Sequence, residues 1–150
     1  MKLIMDKDII TFLIKAKRVT YAGKGSETKA SRPNSHDLEY QDGELRYIDT
    51  YIGDQKFAGE EALWNNNKPF WAMNYCGRTL SDEFEGNFLK EALYNVSEDN
   101  PFRGPVKFKK GDFEYRCTIS GDFTWFNGVE KIYEEGKKVY ECGFHGGLIS

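Results

Sequence analysis

FAGEEALWNNNKPFWAMNYCG, Phe57 to Gly77, is the stretch that decides the fold, because the chain writes its pattern a second time. At an offset of 69 positions, Phe57, Gly59, Glu61, Leu63 and Trp64 fall on Phe126, Gly128, Glu130, Ile132 and Tyr133. The same offset carries Trp71, Tyr75 and Gly77 onto Tyr140, Phe144 and Gly146. Each copy alternates along its strands and breaks at a turn, Asn65 to Asn67 in one and Glu135-Gly136-Lys137 in the other, so each reads as a β-hairpin.

Working outward, each hairpin has the same predecessors. Residues 6 to 18 predict a helix with an apolar stripe of Ile9, Ile10, Phe12, Leu13 and Ala16, capped by Asp6 or Asp8. Ser81 is expected to cap a second helix, with Asp82, Glu83 and Glu85 in its first turn and Phe88, Leu89 and Ala92 repeating the stripe. Strands are expected over 36–41, 44–52, 57–64 and 69–76, then over 105–110, 112–120, 123–133 and 138–145. The offset is 76 between helices but 68 or 69 between strands, which locates extra residues in the Thr20 to Ser35 loop of the first copy. Such a loop is a place for function or a tolerated insertion.

The expected fold class is therefore α+β. It consists of an internally duplicated α-β-β-β-β unit, two antiparallel meanders each with a packed helix, related by a pseudo-two-fold axis. Repeat one covers about 6–77 and repeat two about 81–147, within a single domain spanning 1–150.

Composition narrows the function. Of 150 residues, 39% are hydrophobic, 30% charged and 15% aromatic, which describes an ordered globular chain with material for apolar pockets. A net charge of −3 with mixed signs lacks the basic face of a nucleic-acid binder, so no nucleic-acid partner is expected for this chain alone. No stretch is long and apolar enough for a signal peptide or a membrane span. Cys76, Cys117 and Cys142 are an odd, widely spaced set, which points to reduced thiols in the cytoplasm.

Among residues with chemistry, Glu61 and Glu130 are the sharpest pair. Both lie on the apolar face of their strands, where a carboxylate must be paired, hydrogen-bonded or protonated. Brought together they would form an acid/base or cation-binding pair, and held apart each would accept hydrogen bonds within its own half. The aromatic set comes next. Trp71, Met73 and Tyr75 share one face, Asp49 and Tyr51 another with Tyr47, and Trp125 sits in the second half, so they could wall a pocket or form core. Asn74 belongs with Trp71 and Met73 to the positions the two copies do not share. Cys142 and His145, three apart on a strand, point to opposite faces and do not make a metal site, and no cofactor motif occurs.

Taken together, Tyr51-x-Gly53, Phe57-x-Gly59-x-Glu61, Trp71-x-Met73-Asn74-Tyr75-x-Gly77, Phe123-x-Trp125-x-x-Gly128-x-Glu130, Tyr140-Glu141 and Gly146-Gly147 resemble a bacterial family of uncharacterised domains. Members of that family stand alone or behind an N-terminal helix-turn-helix of the XRE regulator type. The resemblance implies a sensory or ligand-binding role and no known catalytic residue. The chain has no room for a helix-turn-helix before its first helix, so DNA binding is not implied. The expected function is non-catalytic binding of an unknown small molecule. The candidate site is Asp49, Tyr51, Glu61, Trp71, Met73, Asn74, Tyr75, Trp125 and Glu130. A small enzyme using Glu61 or Glu130, and a protein-interaction module with a homodimer interface, are the alternatives.

Overall fold

The computed structural model describes residues 7–82, 84 and 86–150. Its element order is α1 (Lys7–Val19), β1 (His36–Asp42), β2 (Leu45–Gly53), β3 (Lys56–Asn65), β4 (Lys68–Thr79), α2 (Gly86–Tyr94), β5 (Lys107–Lys110), β6 (Phe113–Asp122), β7 (Trp125–Glu134) and β8 (Lys137–Leu148). All eight strands belong to one antiparallel sheet in the order β1-β2-β3-β4-β8-β7-β6-β5.

This corrects the expected fold class. The protein is a mostly β structure, one eight-stranded antiparallel sheet with two short helices of 13 and 9 residues, and not a pair of α+β units each carrying its helix. The reason lies at the centre of the sheet. The two longest strands, β4 and β8, pair with each other from Trp71↔Leu148 to Thr79↔Tyr140, so the two meanders become one continuous surface. Alternation along a strand reports which face is apolar, but not which distant strand lies alongside.

Hairpin chemistry is local, and the turns follow it. Asn66 and Asn67 both have positive φ (52° and 65°), as do Glu135 and Gly136 (49° and 82°), the conformation that tightens a two-residue antiparallel turn. Both hairpins then slip register just before the turn, at Leu63/Trp64 and at Ile132/Tyr133. Alternation sends Phe126, Gly128, Glu130 and Ile132 of β7 inward and Trp125, Asn127 and Val129 outward.

Both helices cover the same face. Leu13, Ala16, Ala92 and Leu93 are buried between them and a floor of Tyr47, Leu63, Trp71, Met73, Tyr115 and Ile132. Trp71 is fully buried and stacked on Phe123 (centroids 4.8 Å apart), and its indole N–H donates to the Phe123 carbonyl at 3.0 Å. That satisfies the one polar atom of a large apolar ring. Helix α1 matches its expected stripe, with Asp8 in its first turn, while Asp6 lies outside the described residues. Phe84 is not helical and α2 begins at Gly86, so Asp82 precedes that helix and does not stand in its first turn. Glu83 and Glu85 lie outside the described residues. No helix among the described residues is long and apolar enough to cross a membrane.

Candidate functional site

Strand parity assembles the site. Tyr47, Asp49 and Tyr51 of β2, Phe57, Gly59 and Glu61 of β3, and Tyr75 of β4 all point to the helical side. Asp49 pairs across to Glu61, and Gly59 lies between Tyr51 and Tyr75. A side chain at position 59 would not fit. Its Cβ would stand 2.5 Å from both the Tyr51 Cβ and the Tyr75 hydroxyl. Glycine here lets the two tyrosines close over the strand.

Above them is a cavity of about 540 Å³. Its sheet side is Asp49, Tyr51, Phe57, Tyr75 and Tyr140, and its helical side Phe84, Gly86 and Leu89. Tyr21 from the Thr20 to Ser35 loop, His36 at the start of β1, and Arg103 from the loop before β5 complete the lining, with Gly53 to Gln55 at one end. His36 and Tyr51 stack with centroids 4.7 Å apart, and Tyr21 meets Tyr51 edge-on at 5.8 Å. A second void of about 20 Å³, room for one water, lies beside Lys17, Asp49 and Glu61.

The polar groups beneath form a connected network. Arg103 is buried, and its Nη2 and Nε donate to Glu130 Oε1 at 2.5 and 3.0 Å, while its Nη1 is 3.9 Å from Glu61 Oε2. Glu130 also accepts from the hydroxyls of Tyr115 (2.5 Å) and Tyr140 (2.8 Å). Glu61 accepts from Lys17 Nζ at 2.7 Å and from the Tyr47 hydroxyl at 2.5 Å. Lys17 in turn donates to the Phe102 carbonyl at 2.6 Å. Burial is the largest influence on Arg103 and works against its charge, but Glu130, Cys142 and Tyr140 together outweigh it and hold the guanidinium pKa well above its usual value.

Asp49 stands at the edge of this network. It is 4% exposed, and its Oδ1 accepts from the Tyr75 hydroxyl at 2.5 Å. Burial first, and the neighbouring Glu61 carboxylate second, push its pKa up to about 7, against the pull of the Tyr75 hydrogen bond, Arg103 and Lys17. The Arg103 guanidinium lies over the Tyr75 ring, 4.8 Å from its centroid.

Of the candidate residues, the structure brings Asp49, Tyr51 and Tyr75 to the large cavity and Glu61 to the small one. It does not bring the others. Trp71 and Met73 are fully buried core beneath the helices, Glu130 is sealed under Arg103, and Asn74 is exposed on the opposite face. Trp125 is 78% exposed there too, because Phe126 and Gly128 take the inward parity. Sequence reasoning missed Arg103, Lys17, Tyr21, His36, Phe84 and Tyr140 as parts of the site. One signal was available for two of them. A pair of inward carboxylates demands cations, and Lys17 continues the apolar stripe of α1 four residues after Leu13, while Arg103 directly follows Pro101-Phe102.

Residues 49–149 match the model of a family described as "Domain of unknown function (DUF5680)", so the chain belongs to that family. The match begins at Asp49 and takes in the whole of β3 to β8, while α1, β1 and the 20–35 loop fall before it. No curated protein and no solved structure matches the chain.

Proposed function

For this member of the DUF5680 family, we propose that the cavity between the sheet and α2 binds a small organic molecule, and that the protein acts as a non-catalytic effector-binding domain. The observation that carries the reading is the cavity itself. Its volume of about 540 Å³ lies within the range of roughly 300–1,000 Å³ of small-molecule sites, and aromatic walls surround a few converging polar groups. Those groups are already ordered by one another, so the cost of arranging them is met in folding.

Glu61 and Glu130 support a structural role in this reading. Each is held by a buried cation and by phenol hydroxyls, which leaves neither free to shuttle a proton. The resemblance to domains standing behind helix-turn-helix regulators supplies a use for such a site, the sensing of a cytoplasmic metabolite. The test is a small-molecule screen by thermal shift on the wild type and on Gly86→Leu. Gly86 lines the cavity, and a Cβ there meets nothing within 4 Å, so the position has room for a side chain at the cavity wall. Compounds that raise the Tm of the wild type and fail on Gly86→Leu support the proposal. Compounds that stabilise both proteins equally overturn it.

A further inference from the structure

Charge around the cavity does not balance. On the helical side of the sheet, the buried ionisable cations among the described residues are Lys17 and Arg103, and the buried carboxylates are Glu61, Glu130 and Asp49. The cations are committed to Glu61 and Glu130, leaving Asp49 with a phenol hydroxyl as its only side-chain hydrogen-bond partner among the described residues. That bond uses Oδ1. Among the described residues no sealed side-chain oxygen lacks a partner, so Oδ2 of Asp49 is open to the cavities that this residue lines. A buried carboxylate in this position requires either a proton or a cation.

The cavity favours a cation over an anion. Its two basic lining groups are engaged, Arg103 with Glu130 and His36 Nδ1 with Glu27 at 2.8 Å. Two carboxylates, Asp49 and Asp54, line it as well. The rings of Tyr21, Tyr51, Phe57, Phe84 and Tyr140 line the same space, and ring faces attract cations. We infer that the cavity takes a small organic cation, a protonated amine on a flat or apolar body, with the Asp49 carboxylate as its counter-ion and the aromatic rings as its walls. This deepens the binding reading above and rests on it.

A pH dependence follows. The titratable groups that line the two cavities with Asp49 are His36 from β1, Tyr47 and Tyr51 from its own strand, Asp54 from the turn after it, Glu61 from β3, Tyr75 from β4, Tyr140 from β8, Lys17 from α1, Tyr21 from the adjoining loop, and Arg103. Leu38 opposite on β1 and Leu93 on α2 are uncharged. Burial and Glu61 push the Asp49 pKa up to about 7, so amine binding strengthens as pH rises through that value while the amine stays protonated.

The experiment is an NMR or calorimetric titration with three probes of one shape: phenethylamine, 2-phenylethanol and phenylacetate. It is run at pH 6 and pH 8 on the wild type, Asp49→Asn and Gly86→Leu. At pH 8 the amine should bind the wild type at least about tenfold more tightly than the alcohol, the value of one hydrogen bond to a charged group. Asp49→Asn should remove that preference while melting no lower than the wild type. Preference for phenylacetate or the alcohol, abolished by Gly86→Leu, would overturn the cation and keep the pocket. Amine binding unchanged in Asp49→Asn would also overturn the cation. No binding of any probe at millimolar concentration would overturn both readings.

Discussion

Strands β2 to β4 and strands β6 to β8 set the same inward positions at an offset of 68 or 69, and three of the positions where they differ stand at the large cavity. Where the first half has Asp49, Tyr51 and Tyr75, the second has Cys117, Ile119 and Phe144. The surrounding parts are alike: Tyr47 and Tyr115 each donate to the glutamate of the next strand, Glu61 or Glu130. The same physical cause then has two outcomes. Burial, with Glu130 next, pushes the Cys117 thiol up to about 11, where it stays neutral at ordinary pH. Burial, with Glu61 next, pushes Asp49 up to about 7, where it does not. One half thus closes as apolar core and the other opens a cavity onto a titratable group. The lesson is that pocket and core here share a strand pattern, and that the side chains differing at Asp49, Tyr51 and Tyr75 are among those that line the pocket.

The comparison breaks most completely at Arg103, which serves both halves. Arg103→Ala strands Glu130 beneath the sheet and should cost about 3–5 kcal/mol in chemical denaturation, whereas a loss under 1 kcal/mol would show that the phenols alone suffice. Next is Asp49. Its folded pKa lies above its unfolded value of 3.8, so its contribution is full below pH 3.8 and is lost as pH rises towards about 7. Asp49→Asn should therefore be more stable than wild type at pH 8 than at pH 4, by on the order of 2–4 kcal/mol, read from denaturation midpoints across pH. A flat difference across that range would place Asp49 outside the network. The paired glycines sharpen the contrast further. A Cβ at Gly59 meets the Tyr75 hydroxyl at 2.5 Å, and one at Gly128 runs into the Phe144 ring. Gly59→Ala and Gly128→Ala should each lose about 1–3 kcal/mol, but Gly59→Ala should lose ligand binding as well. Smallest is Trp125→Ala, expected within about 0.5 kcal/mol and without effect on binding, since the ring stands in solvent on the other face.

Much of the fold was legible before the structure. Turns are set by the residues in them, so Asn66-Asn67 and Glu135-Gly136 marked both hairpins, and all eight strands lie within a few residues of their expected places. Asp49, Tyr51, Glu61 and Tyr75 were legible as inward-facing for the same local reason, a side-chain period of two. That period also held the correction for Trp125, whose neighbour Phe126 takes the core side. The positions that the two patterns do not share, Trp71, Met73 and Asn74, were the wrong guide, because their differences are absorbed by core packing and solvent.

The sequence by itself determined the hairpin Phe57 to Gly77, its second writing at Phe126 to Gly146, and the need of two inward glutamates for partners. Only the tertiary structure decided that β4 and β8 join into one sheet, and that Lys17 and Arg103 are the partners. It also decided that Tyr21 and His36 come from outside the repeated pattern to wall a cavity over Asp49. The physical reason is range. Turn geometry and alternation act over two to four residues, whereas Arg103 meets Glu61 across 42 positions and Lys17 meets it across 44. Contacts of that span depend on how the whole chain packs.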